Sequence, residues 1–280
     1  MRWFFYLYAM EKEKGKSRKF KWGCFGLFFI FILLSQVVSS CMSFSMSDRK
    51  FERRFANQEP RPYSFTTEVG DYAMRYVYLD AQKEGSLIFI HGSPGGWDAF
   101  VDYFEDSTLY EKANLMAPDR PGFGQSSYGK PIKSLERQAA LLAPLIKKAP
   151  APRILIGHSM GGPVIARLAM DYPELVDGLL FLAASIAPEL EPKDDWYRKP
   201  MRWPVISAIV PKVFRISNEE LIFLEDELTE MLPLWSSINV PAVVIQGEKD
   251  RLVHPGNAGF AARMLTNAPN DIISLPEQNH

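Results

Sequence analysis

The 280-residue chain is 47% hydrophobic and carries 32 Lys/Arg against 33 Asp/Glu, with only two cysteines. Seven of the basic and two of the acidic side chains lie in residues 1–40, which leaves residues 41–280 with 25 basic and 31 acidic side chains, a net charge of -6. That balance argues against a nucleic-acid partner, and the length left after the N-terminal segments is that of one domain.

Lys12, Lys14, Lys16, Arg18, Lys19 and Lys21 precede an apolar run from Trp22 to Val38, then Ser39-Ser40-Cys41. Basic, then apolar, then small is the layout of a secretory signal, expected over residues 1–40. Val38-Ser39-Ser40-Cys41 resembles a bacterial lipobox. That resemblance implies lipidation of Cys41 and a lipid anchor in a bacterial membrane, with the rest of the chain outside the cytoplasm. Cys24 then leaves with the signal, so no disulfide is expected. An uncleaved membrane anchor is the alternative, weakened by Ser35 and Gln36 within the run. Residues 41–62, rich in Ser, Arg, Asn and Pro without a period, read as a solvated tether.

Residues 63–280 form the expected domain. A strand-like region begins at Tyr72, and Leu87 to Ile90 is the first buried strand, followed by His91-Gly92-Ser93-Pro94-Gly95-Gly96. Met116-Ala117-Pro118 is the next strand, and Ser134 to Lys148 reads as a helix with Leu135, Ala139, Leu142 and Ile146 on one face. Strands at Ile154, Leu179 and Val243 alternate with helical patterns, so a mostly parallel sheet flanked by helices is expected. From 186 to 236 the alternation breaks into a segment holding Trp196, Tyr197, Trp203, Phe214, Phe223 and Trp235. Glu225-Asp226-Glu227 reads as a solvated helix face. Asp271 to Pro276 reads as a buried strand leading into a loop that ends at His280.

Gly157-His158-Ser159-Met160-Gly161 stands between the apolar run Ile154-Leu155-Ile156 and a helical pattern. A sharp strand-to-helix turn needs small residues on both sides of the exposed hydroxyl, the nucleophile-elbow pattern. A serine needs a base, and histidine suits that task. Of the four histidines, His158 neighbours the serine and is expected to project elsewhere, while His91 ends a strand and His254 closely follows Asp250. His280 is the remaining choice. Asp250, on the loop after the strand at Ala242 to Ile245, is the expected orienting acid, with Glu248 in reserve. Backbone N–H groups of Ser93 and Met160 are the expected oxyanion donors. No zinc-spaced ligand set or Walker-type loop occurs, so neither metal nor cofactor is expected.

These motifs, with Asp119-Arg120-Pro121-Gly122-Phe123-Gly124-Gln125-Ser126, Gly247-Glu248-Lys249-Asp250 and Asn279-His280, resemble the α/β-hydrolase superfamily in its esterase, peptidase and C–C hydrolase branch. The resemblance covers about residues 70 to 280. It implies the α/β-hydrolase fold with a small helical cap inserted at about 186–236, whose aromatics would exclude water and accept apolar groups. It also implies a Ser159-His280-Asp250 triad in the chain order of the family, and a structural role for Asp119 to Ser126. The motifs are not specific for a substrate; a small-molecule ester of a small or medium apolar acid is the leading expectation. Amide or proline iminopeptidase-like cleavage is the alternative, because His91 to Gly96 resembles the corresponding loop of those peptidases. A membrane-tethered binding protein on the same scaffold is the alternative from another class.

Overall fold

Residues 45–193 and 196–280 are described in a computed structural model; the expected signal segment and Cys41 lie outside them. In chain order the elements are α1 (Asp48–Arg54), β1 (Tyr63–Val69), β2 (Tyr72–Leu79), β3 (Ser86–Ile90), β4 (Asn114–Pro118), α2 (Leu135–Ile146), β5 (Arg153–His158), α3 (Gly161–Asp171) and β6 (Gly178–Leu182). Then follow α4 (Pro204–Ile209), α5 (Lys212–Leu221), α6 (Leu224–Met231), β7 (Ala242–Gly247), α7 (Gly256–Met264) and β8 (Asn270–Leu275). One further α-helical turn, Ser107–Tyr110, lies between β3 and β4, and short 3₁₀ segments link several of the elements.

The strands form one sheet in the order β1-β2-β4-β3-β5-β6-β7-β8. β2 pairs antiparallel with β1 and β4, and all other neighbours are parallel. Alternate side chains of a strand face opposite sides of the sheet. Accordingly Ile88 and Ile90 join the larger core with Leu142, Leu155, Val164 and Leu168, whereas Phe89 and Ile156 join a second core with Trp97, Phe100 and Phe104. Both faces being covered, the central strands are apolar almost throughout, as parallel strands require.

Three sequence expectations change here. Most of the segment read as a solvated tether lies on the domain. In α1 and just beyond it, Phe51 and Phe55 are buried, and Phe51 meets Trp97 edge-on at 5.5 Å. The charges of α1 hide this, since two phenylalanines four apart supply its whole apolar face. β1 was not singled out, although Tyr63, Phe65 and Val69 alternate with polar residues; its side chains are mostly exposed, and its pairing to β2 and the stacking of Phe65 on Tyr76 hold it. β8, expected to be buried, is exposed along its length. It is an edge strand whose apolar residues Ile272, Ile273 and Leu275 reach solvent.

Between β6 and β7 the chain forms a layer of helices. Trp235 is buried against Phe181 and Phe260, and Leu224, Leu228 and Met231 face the larger core. The expectation of an aromatic lining fails for Trp196 and Trp203, which are 83% and 61% exposed. Glu225 and Asp226 are solvated as expected. Glu227 is not, because its carboxylate accepts the Leu135 N–H at 2.7 Å and so caps the first turn of α2.

Candidate active site

Ser159 occupies the turn from β5 into α3 with φ +52°, a left-handed conformation uncommon for a residue with a side chain. The turn holds because there is no room for it to relax. A Cβ on Gly157 would stand 2.6 Å from the Gly161 carbonyl oxygen, and one on Gly161 would stand 2.1 Å from that of Ile90. Ser159 N–H donates to the Leu182 carbonyl at 2.9 Å, tying the elbow to β6. Met160 is the N-cap of α3, so its N–H lies outside the ladder of intrahelical hydrogen bonds.

Asp250 and His280, 30 residues apart, are brought together. His280 Nδ1 and Asp250 Oδ2 are 2.8 Å apart. The Asp250 side chain is fully buried there, and that of His280 is 17% exposed. Asp250 Oδ1 accepts the N–H groups of Leu252 and Val253, and Gln246 Nε2 donates to Oδ2 at 3.2 Å. Burial would raise the Asp250 pKa. The Val253 N–H, His280 and the Leu252 N–H outweigh it, and the carboxyl lies below its ordinary value. The loop carrying His280 is fastened to that carrying Asp250, since Glu248 and Lys249 N–H donate to the Leu275 and Gln278 carbonyls.

His158 does not project elsewhere: its ring lies against that of His280. The elbow is therefore beside the Asp250-His280 pair. The loop after β3 closes the other side, where a Cβ on Gly92 would stand 3.0 Å from Ser159 Cβ. Ser93 Oγ donates to Ser217 Oγ of α5 at 2.8 Å. The five residues singled out from the sequence thus sit in four loops, which follow β3, β5, β7 and β8.

Asp119 to Ser126 forms the frame expected of it. Asp119, fully buried, accepts the N–H groups of Trp97 and Gln125 at 2.8 Å each, and burial pushes its pKa up to about 6. Gly124, with φ +52°, has no space for a Cβ, which would overlap the Asp119 carboxyl. Arg120 is also fully buried. It donates to the His91 carbonyl at 2.9 Å, to the Gly92 carbonyl at 3.0 Å and to Gln138 Oε1 at 2.7 Å. It further makes a two-pronged ion pair with Glu220 of α5 at 2.8 and 2.9 Å.

The alpha/beta hydrolase fold family model matches residues 85–205. Lipase 3 of Moraxella sp. (strain TA144) is 28% identical over 81% of this chain and 82% of its own length. Lipase 1 of Psychrobacter immobilis is 28% identical over 82% and 81%. The solved structure of a thermophilic esterase from Thermogutta terrifontis superposes with TM-score 0.59 at 19% identity, covering 79% of this chain and 91% of that one. The chain has the α/β-hydrolase fold and is a hydrolase similar to lipases and esterases.

Several residues of this hydrolase escape sequence reading. Arg120 is part of a visible motif, yet its partner Glu220 is one of two adjacent glutamates on an amphipathic helix. Gln246 behind Asp250, and Ser217 beneath Ser93, carry no motif at all. Their roles follow from burial, which spacing alone does not report.

Proposed function

We propose that the chain hydrolyses carboxylic esters of small or medium apolar acids through an acyl-enzyme. Ser159 attacks the carbonyl carbon while His280 takes its proton. His280 then passes that proton to the leaving alcohol, and later activates the water that releases the acid. Asp250 orients His280 and stabilises its charged form, and the N–H groups of Ser93 and Met160 hold the oxyanion. The observation that carries this reading is the 2.8 Å hydrogen bond between Asp250 and His280, whose ring lies beside the elbow.

A fluorophosphonate probe tests the reading directly. It is expected to label the wild-type chain and not Ser159→Ala, with p-nitrophenyl butyrate turned over by the first alone. No labelling of the folded chain would favour the binding-protein alternative, whereas faster cleavage of prolyl p-nitroanilide than of the ester would favour the peptidase alternative.

We also propose that the enzyme is tethered to a bacterial membrane through Cys41, facing outside the cytoplasm. The basic, apolar and Ser-Ser-Cys order of residues 12–41 supports this. Loss of membrane association in Cys41→Ser, and globomycin-sensitive processing, are the expected outcomes.

A further inference from the structure

The Gly92 carbonyl accepts two hydrogen bonds. Arg120 supplies one at 3.0 Å, and His91 Nδ1 stands 2.7 Å away. The tautomer of His91 follows from its other nitrogen: Nε2 lies 2.9 Å from the Arg120 backbone N–H and must accept from it, so the proton is on Nδ1 and points at Gly92. His91 is wholly buried and its pKa is driven well below the ordinary value, by burial first and by Arg120 next, so the ring stays neutral.

Gly92–Ser93 is a trans peptide bond, the only cis bond in this loop being the one after Ser93. In a trans peptide the C=O and the N–H of one plane point in opposite directions. Fixing the Gly92 oxygen on one side therefore aims the Ser93 N–H at the other, and the positive charge at that oxygen polarises the amide, strengthening the N–H as a donor. Arg120 in turn is held by Glu220, which the cap helix α5 supplies from 100 residues further along the chain. Arg120 and Glu220 side chains are 0% and 2% exposed, so neither charge has solvent as a substitute partner.

We propose that Glu220 is a positioning residue for the reaction: through Arg120 it fixes the plane of the Gly92–Ser93 peptide, so that the cap sets the oxyanion hole. This rests on the ester-hydrolase reading of the site. Donors aimed at the developing oxyanion stabilise the transition state more than bound substrate. Mis-aiming one of them therefore lowers kcat and spares KM. Removing such a donor outright costs about 10² to 10³ in kcat, and tilting it should cost about tenfold or more.

The test uses the full chain with p-nitrophenyl butyrate and a trifluoromethyl ketone, which forms a tetrahedral adduct on serine, beside its non-reactive amide analogue. Glu220→Gln removes the charge, while Glu220→Asp keeps it and breaks the two-pronged fit, leaving a milder variant should the first not fold. Asp171→Asn, which breaks the Arg167 pair on α3, is the comparison for a lost ion pair elsewhere. The expected result is kcat reduced about tenfold or more at nearly constant KM. The ketone should weaken in step and the amide analogue should not, with Asp171→Asn unchanged. Folded Glu220 variants with normal kcat and normal ketone affinity overturn the proposal while leaving the hydrolase reading intact. A wild-type chain with no Ser159-dependent turnover overturns both.

Discussion

The imidazole of His158 lies against that of His280, with ring centroids 4.6 Å apart and planes at 49°. Burial first, and the neighbouring ring second, hold the His158 pKa down to about 4. His158 is therefore a neutral wall for the proposed base at neutral pH. Its folded pKa is below the unfolded value of about 6.5, so unfolding takes up a proton between those limits. Its contribution is fully present above about pH 6.5 and is lost as pH falls toward 4. Asp119, pushed up to about 6, acts in the opposite sense over part of that range, so the informative quantity is the difference between wild type and His158→Gln. Urea unfolding from pH 7.5 to 4.5 should show that difference changing by about 1.4 kcal/mol per pH unit below pH 6.5. A pH-independent difference would refute the neutral, buried His158.

Replacing Asp250 by Asn preserves size and leaves the imidazole with an amide in place of a carboxylate. In a triad that change costs about 10⁴ in kcat. Glu248, the alternative acid by sequence, accepts from Ser274 Oγ at an exposed position. Steady-state kinetics should therefore show a loss of about that size for Asp250→Asn and less than twofold for Glu248→Gln; the reverse ranking would reassign the acid.

Alanine in place of a helical glycine usually stabilises by up to about 1 kcal/mol. At Gly161, the first residue of α3, the sign reverses because the added carbon would meet the Ile90 carbonyl oxygen. Gly161→Ala should lower stability by about 1 to 3 kcal/mol in urea unfolding and remove fluorophosphonate labelling of Ser159, since the elbow cannot shift away without re-aiming the hydroxyl.

Phe55, just past α1, is fully buried with Phe51, Trp97 and Phe104 around it. Truncating it should cost about 3 to 5 kcal/mol. An effect under about 1 kcal/mol in the same unfolding assay would show that the segment before β1 is the solvated tether its composition suggests.

The parallel sheet and the elbow were legible because both are local. Runs such as Ile88 to Ile90 and Leu155 to Ile156 announce buried strands, and a serine between Gly157 and Gly161 announces the turn. That Asp250 and His280 meet was legible from the loop after the strand at Ala242 to Ile245 and from the choice among four histidines. Long-range pairing without a pattern was not. Nor was β1, whose alternation of Tyr63, Phe65 and Val69 with polar residues is short and which pairs with β2 across Gly70-Asp71 with most of its side chains exposed. α1 hides two buried rings among charges. Glu220 and Gln246 act as buried polar partners, and a polar residue in a sequence reads as exposed until its counterpart is seen.

Among the described residues β8 is the outermost strand on its side and pairs with β7. Five residues later comes His280. The proposed base thus hangs from the margin of the sheet that should fray most readily, while Ser159 is rooted at its centre. Warming the protein should silence ester turnover several degrees before the bulk of the helix signal collapses, and an additive that clasps this rim should restore activity without altering the melting of the interior.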